Sequence, residues 1–209
     1  MAVQAKNFDH LIGKLEGFSE RQLTQHFGLY QGYVKKLNEV RERIAAIPYE
    51  QRVTKSNFSY GEYSELRRRE ATPYNGVYLH ELYFENLGPA GGESRPSGDL
   101  RPAIEKAFGS LANWETDLEA CGTSATNGWV LLTFDEKDLM LHHNQVFEHA
   151  DRMMVGTRPV LALDAWEHAF MIDYGTDKTS YMKAFLKNVN WRAVNERFEA
   201  VSREAIAHA

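Results

Sequence analysis

The sequence predicts an α+β chain in which a long antiparallel helical hairpin precedes a unit that mixes helices with three strands. Three observations predict it. Apolar residues recur at helical spacing over two early stretches. A segment with four glycines and two prolines in thirteen positions, 87–99, then interrupts the pattern. Beyond it, short apolar or β-prone runs alternate with helical ones. The interruption sets a boundary, giving a helical hairpin domain over 1–88 and a C-terminal α/β domain over 89–209.

The first helix begins at Ser19, which with Gln22 forms a capping-box start. Leu23, Phe27, Tyr30, Val34, Leu37 and Ile44 carry its apolar face to about Ala46, ahead of Pro48. A second helix opens at Thr72-Pro73, a cap residue followed by proline at the first helical position, and runs through Val77, Leu79, Leu82 and Tyr83 to about Asn86. The polar segment 49–71 joins the two, and Arg67 to Arg69, beside Glu65 and Glu70, reads as a solvated face. After the linker, Arg101 to Phe108 and Asn113 to Ala120 form short helices. Trp129 to Phe134 and Leu139 to His143 flank the turn Asp135 to Asp138 as a hairpin, and Pro159 to Asp164 is the third strand. Helices at Thr179 to Asn188 and Trp191 to Ala205 follow.

Composition narrows the function. With 43% hydrophobic and 25% charged residues in 209, the chain has the make-up of an ordinary globular protein. No apolar run approaches the roughly 18–20 residues of a spanning helix, and the first residues lack the pattern of a secretory leader, so a cytoplasmic protein without membrane contact is expected. A net charge of -5 argues against nucleic acid as a partner. The single cysteine, Cys121, excludes an internal disulfide framework and multi-cysteine metal cages, and itself reads as a small buried residue. A metal would have to use carboxylate and the chain's eight histidines.

Asp164-Ala-Trp-Glu-His168 is the most informative stretch: an apolar strand ends in a carboxylate and presents an imidazole four residues later, beside a tryptophan. Carboxylate with imidazole suits iron or manganese better than calcium or magnesium, which take oxygen shells. By itself the motif also reads as an Asp capping a turn with a His on its surface. Each helix adds one histidine among aromatic residues, His26 and His80; either alone reads as a core residue. Brought beside Asp164 and His168 by the hairpin, they would give three imidazoles and one carboxylate around an open position, a redox or Lewis-acid site.

From about Phe18 to Ala200 the sequence resembles the iron/manganese superoxide dismutases. Asp164-Ala-Trp-Glu-His-Ala169 is similar to the family's D-x-W-E-H-A signature, followed at the family's spacing by Asp173-Tyr174, Tyr181 and Asn188-Val-Asn-Trp191. Gly88 to Glu93 and Phe108-Gly-Ser110 resemble the inter-domain loop and the helix after it, Asn127-Gly-Trp129 the strand entrance, and His26 through Tyr33-Val34 to Leu37-Asn38 the first-helix motif. The resemblance implies a three-stranded antiparallel sheet in the second domain. It also implies one iron or manganese ion per subunit between the domains, held by His26, His80, Asp164 and His168. The implied substrate is superoxide, disproportionated to dioxygen and hydrogen peroxide by a centre whose potential the ligands and their hydrogen bonds tune.

Several positions depart from the family. A Gln usually bonds the metal-bound solvent, from four residues before the second-helix ligand or from the loop after the second strand. The first position is Gly76, and the second falls at or within one residue of His149, which becomes the expected solvent partner with Gln145 as runner-up. The gateway Tyr, usually eight residues after the first ligand, is Tyr33 at seven, so one helical residue is deleted. That deletion shifts the phase by about 100° unless the parent helix carried a bulge. Tyr33 is the gateway candidate and Tyr30 the alternative. The family's cross-dimer His–Tyr pair is missing, as Tyr30 and Met171, whereas Glu167, expected to reach the partner's last ligand, is kept; a homodimer, or a tetramer built from it, is implied. Phe84 replaces an aromatic-cage Trp, while Trp129 and Trp166 remain as pocket walls, and Lys178 lies where an Arg often sits near the entrance. Two other readings compete: a protein of this fold serving as an interaction subunit without dismutase activity, expected to have lost a ligand, and a mononuclear iron oxygenase, which needs two adjacent open coordination sites and a roomy pocket.

Overall fold

The computed structural model describes residues 2–89 and 95–208. Helix α1, Glu20–Ala46, is one uninterrupted α-helix. The Ser19 hydroxyl accepts from the Gln22 N–H at 3.0 Å, satisfying one of the first-turn donors. Only half of the expected capping box forms. The Ser19 N–H donates instead to Asp173 at 2.7 Å, and the Gln22 side chain is spent on a distant segment.

After the single turn α2, Tyr49–Arg52, helix α3 runs from Glu62 to Glu85, starting ten residues before the expected Thr72 and holding Pro73 in its interior. The outer half is stabilised by means that leave no apolar periodicity. Asn57 Oδ1 accepts the N–H groups of Ser59, Tyr60 and Gly61 ahead of it. Glu65–Arg68 and Arg67–Glu70 are ion pairs one turn apart, and Leu66 packs with Val40, Ile44 and Ile47 in a small cluster of its own. These outweigh the hydrogen bond a mid-helix proline forfeits.

The C-terminal part carries α4, Leu100–Phe108, and α5, Leu111–Ser124, followed by β1, Gly128–Asp135, β2, Met140–Phe147, and β3, Thr157–Asp164. Strand β2 continues four residues past the expected His143. Both pairings are antiparallel in the order β2-β1-β3, as implied. Strand β1, covered on both faces, reads as a continuous apolar run rather than an alternation. Helices α6, Met171–Tyr174, α7, Lys178–Lys187, and α8, Trp191–His208, complete the chain. The main core is continuous from Phe27, Tyr30 and Leu79 of the hairpin to Trp129, Leu131 and Leu163 of the sheet. The expected linker falls partly on residues 90–94, outside the described residues; at its start, Gly88 N–H donates to the Asn188 carbonyl at 2.9 Å. Among the described residues no helix is long and apolar enough to cross a membrane.

Candidate metal centre

Four elements converge on one point. His26 lies on the buried face of α1, His80 on α3, Asp164 at the end of β3, and His168 in the helical turn Glu167–Ala169 that follows. One ligand atom from each lies within 4.8 Å of all the others. His26 Nε2 and His168 Nε2 are each 3.1 Å from Asp164 Oδ2, and His80 Nε2 is 3.8 Å from it. His26, His80 and Asp164 are buried, while the His168 side chain keeps 26% exposure and marks the side open to solvent.

Asp164 and His80 are aimed by specific contacts. Asp164 Oδ1 accepts the Trp166 N–H at 2.9 Å, so that Oδ2 faces the imidazoles, and the Tyr181 hydroxyl donates to the Asp164 carbonyl at 2.7 Å. His80 Nδ1 is 2.6 Å from the Gly76 carbonyl. A carbonyl only accepts, so the ring proton is on Nδ1 and Nε2 is a lone pair. That lone pair is buried among the other ligands and has no hydrogen-bond partner among the described residues, a condition a bound cation would relieve. Burial alone would raise the Asp164 carboxyl, but the His168 and His26 rings outweigh it and hold the group well below the usual carboxylate range. Burial, reinforced by the neighbouring His26, pushes His80 well down. A neutral imidazole and an ionised carboxylate are the forms that ligate a divalent or trivalent ion.

The other sequence candidates divide between the centre and its surroundings. Tyr33 lies seven residues after His26, two turns of a continuous helix, so both share one face. Its hydroxyl is 2.6 Å from His149 Nε2 and its ring centroid 5.3 Å from that of His80. His149 is buried in the loop after β2, and its Nδ1 accepts the Trp129 indole N–H at 2.9 Å. An indole nitrogen only donates, so neutral His149 carries its proton on Nε2 and gives it to the Tyr33 oxygen. The loop is fixed by reciprocal Phe147–Asp151 hydrogen bonds of 3.0 and 3.2 Å and by left-handed residues on both sides, Glu148 at φ 52° and Arg152 at φ 66°. Gln145 is turned elsewhere, onto Cys121 O and Ser124 at 2.9 and 2.6 Å. The Tyr30 hydroxyl also points away: it accepts from Lys6 N–H at 2.9 Å and donates to Glu81 at 2.7 Å. Trp129 stands edge-on to His80, and Trp166 stacks on His168 at 20° between planes. Glu167 is exposed, and the Lys178 ammonium donates to Ala125 O at 2.5 Å.

Two residues have positioning roles that the sequence did not indicate: Gln22, read only as a helix cap, and Gly76, read only as the position that lacks the family's Gln. The Gln22 side chain donates to the His168 carbonyl at 2.6 Å and accepts from Ile172 N–H at 3.2 Å, tying α1 to the ligand-bearing turn. At Gly76 a Cβ would lie 2.7 Å from the Tyr33 ring, so the glycine provides the ring's seat.

Comparison with known proteins agrees with this geometry. Residues 96–197 match the family described as iron/manganese superoxide dismutases, C-terminal domain. The chain is 41% identical over 193 residues to superoxide dismutase (Fe) of Aquifex aeolicus, covering 91% of this chain and 89% of that one. It is 36% identical over 194 residues to superoxide dismutase (Fe) of Cupriavidus metallidurans, covering 91% and 93%. With superoxide dismutase (Mn) 1 of Halobacterium salinarum the identity is 38% over 183 residues, covering 87% and 86%. The convergence of all four ligands gives no support to an interaction subunit stripped of its metal site.

Proposed function

From a chain that belongs to the iron/manganese superoxide dismutase family, we propose a proton-delivery path made by Tyr33, His149 and Trp129 beside the metal ligands. The reaction is the disproportionation of superoxide to dioxygen and hydrogen peroxide. The observation that carries the reading is the buried set of three imidazoles and one carboxylate whose His80 Nε2 lacks a protein partner. His26, His80, Asp164 and His168 would hold an iron or manganese ion, which would supply the one-electron couple that dismutation needs.

The protein's own groups supply charge and protons. Ionised Asp164 favours the higher oxidation state, and the three neutral rings temper it. Peroxide formation needs two protons. The Tyr33 hydroxyl, already accepting from His149 Nε2–H, has its own proton free to give inside the pocket. Burial, with the Asp164 charge behind it, raises the Tyr33 pKa and keeps that proton in place at neutral pH. Burial likewise pushes His149 down to about 4, so the ring is neutral and the Trp129–His149–Tyr33 chain runs in one direction. Trp166, Tyr83 and Phe84 exclude water from the ligands.

The same proposal includes a division into a hairpin unit over 1–88 and an α/β unit over 89–209, one ion per subunit, and a cytoplasmic homodimer. Exposed Glu167, with Met171 and Ile172 at its side, offers the surface beside His168 to a second copy. Lys178 is the proposed steering charge for the anion. The test is reconstitution of apo-protein separately with iron and with manganese, followed by metal analysis and superoxide-decay assays. One ion per chain and activity with at least one metal, both lost in His80→Ala and Asp164→Ala, are expected. Stoichiometric metal at these ligands without dismutation would overturn the reading.

A further inference from the structure

The four ligands differ in how they meet solvent and in what holds them. The His26, His80 and Asp164 side chains are 1%, 0% and 0% exposed, whereas His168 keeps 26%. The way in and out for an ion therefore lies on the His168 side. The His168 ring is steadied by stacking on His80 and on Trp166, with 19° and 20° between planes. The backbone beneath it belongs to the C-terminal part of the chain and is tied to the hairpin at the start of α1.

Gln22 carries that tie. It lies one turn before His26 on the same face of α1 and is fully buried. Its side-chain amide donates to the His168 carbonyl at 2.6 Å and accepts the Ile172 N–H at 3.2 Å, so it bridges both ends of the segment that leads from the last ligand into α6. The two ends of the amide cannot exchange roles, since a carbonyl only accepts and a backbone N–H only donates. Neighbouring bonds run between the same two segments: Ser19 N–H donates to Asp173 at 2.7 Å, and the Tyr174 hydroxyl donates to the Gly17 carbonyl at 2.5 Å. Ala169 and Phe170, buried between these points, seat the segment in the core. The ring centroids of His26 and His168 are 5.0 Å apart, a spacing between two parts of the chain that Gln22 spans from His26's own helix.

We propose that Gln22 is a positioning residue for the metal: it indexes His168 to His26, and so governs both the geometry of the ligand set and the rate at which the ion leaves past His168. The inference rests on the reading of His26, His80, Asp164 and His168 as the ligands. When the amide lets go, His168 can withdraw from Asp164 while α1, α3 and β3 keep the other three ligands in place. Release is then a local opening of one turn and its flank, separate from unfolding of the chain.

The test uses enzyme loaded with iron. Gln22→Met keeps the length of the side chain and gives up both hydrogen bonds. It is expected to release iron to an excess of ferric chelator about tenfold faster or more, and to shift the rhombicity of the ferric electron paramagnetic resonance signal, which reports ligand geometry. In parent and variant alike the release rate should be unchanged by urea below the unfolding transition, because a local opening exposes little surface. Asp173→Ala, at a half-buried position, removes the adjacent Ser19 bond and is expected to speed release about threefold, which keeps the proposal testable if Gln22→Met fails to fold. A parent chain that takes up no iron would sink the reading of the ligands themselves. Variants that hold one ion, release it at the parental rate and keep the parental ferric signal would overturn this inference alone, as would release that climbs with urea in step with unfolding.

Discussion

Replacing Gly76 by alanine tests whether a missing side chain on α3 is what seats Tyr33, the proposed gateway tyrosine. The added Cβ would lie 2.7, 2.8 and 3.1 Å from Tyr33 Cδ1, Cγ and Cε1. Non-bonded carbons rest at roughly 3.5–4.0 Å, so the ring must retreat by roughly 0.8 Å. It is boxed in by His80 and His149, whose centroids are 5.3 and 4.7 Å away, and the retreat strains the 2.6 Å bond to His149 Nε2. Overpacking costs about 1–3 kcal/mol and the lost hydrogen bond about 1 kcal/mol. Alanine in a helix interior returns about 1 kcal/mol. The net expectation is a loss of about 1–3 kcal/mol, or about 3–10 °C in Tm for a chain of this length. A displacement of this size at the proposed proton donor is expected to lower turnover by about 10- to 100-fold, with metal content unchanged. Calorimetry, metal analysis and stopped-flow decay of superoxide read the three quantities. The decisive control is Gly76→Ala in a Tyr33→Ala background, where only the helix term remains and the substitution stabilises by about 1 kcal/mol. A variant that is still destabilised there, or a single variant as stable and active as the parent, would refute the reasoning.

Two further outcomes follow from the hydrogen-bond geometry. Trp129→Phe removes the indole N–H that keeps the His149 proton on Nε2, so activity is expected to fall about tenfold while the metal is retained; full activity would show that the tautomer is set elsewhere. Burial pushes the Tyr30 hydroxyl up to about 12, helped by Glu81 and opposed by Lys6. A folded pKa raised above the unfolded value of 10.0 gives stability that is complete below pH 10 and lost as pH rises through 12. Melting temperatures should accordingly fall less steeply over that window in Tyr30→Phe, which at neutral pH is less stable by about 1–2 kcal/mol because the Lys6 amide and one Glu81 oxygen lose their partner, Glu81 keeping the Lys6 ammonium at 2.9 Å.

The four ligands were legible as candidates from local patterns, a strand that ends in Asp164, a turn that ends in His168, and helices whose faces carry His26 and His80, but each pattern also read as ordinary structure and only the family resemblance joined them into one set. Helix α1 was legible from cap to end by its own local pattern. The start of α3 was not, since Thr72-Pro73 imitates a helix start and the outer half has Leu66 as its one buried apolar residue before Pro73. Tyr30 and Tyr33 stand about 40° and 20° from His26 around a regular helix. Periodicity cannot separate them; Glu81 and Lys6 on one side and His149 on the other do. Gln22 was read by its nearest partner, Ser19, when its side chain belongs to His168, 146 residues away.

Pro73 divides α3 into parts of unequal standing. Inward of it, Val77, Leu79 and Tyr83 join the main core around the ligands. Outward of it, the helix rests on the four-residue cluster with Val40, Ile44 and Ile47 and on exposed ion pairs, each worth a few tenths of a kcal/mol. The tip of the hairpin therefore has the sparse apolar packing and exposed pairs that characterise segments of low local stability. Sequence drift at the tip, including change in the exposed Tyr49, Phe58 and Tyr60, is thereby insulated from the chemistry. The outer hairpin can evolve new surfaces at little risk to the metal centre.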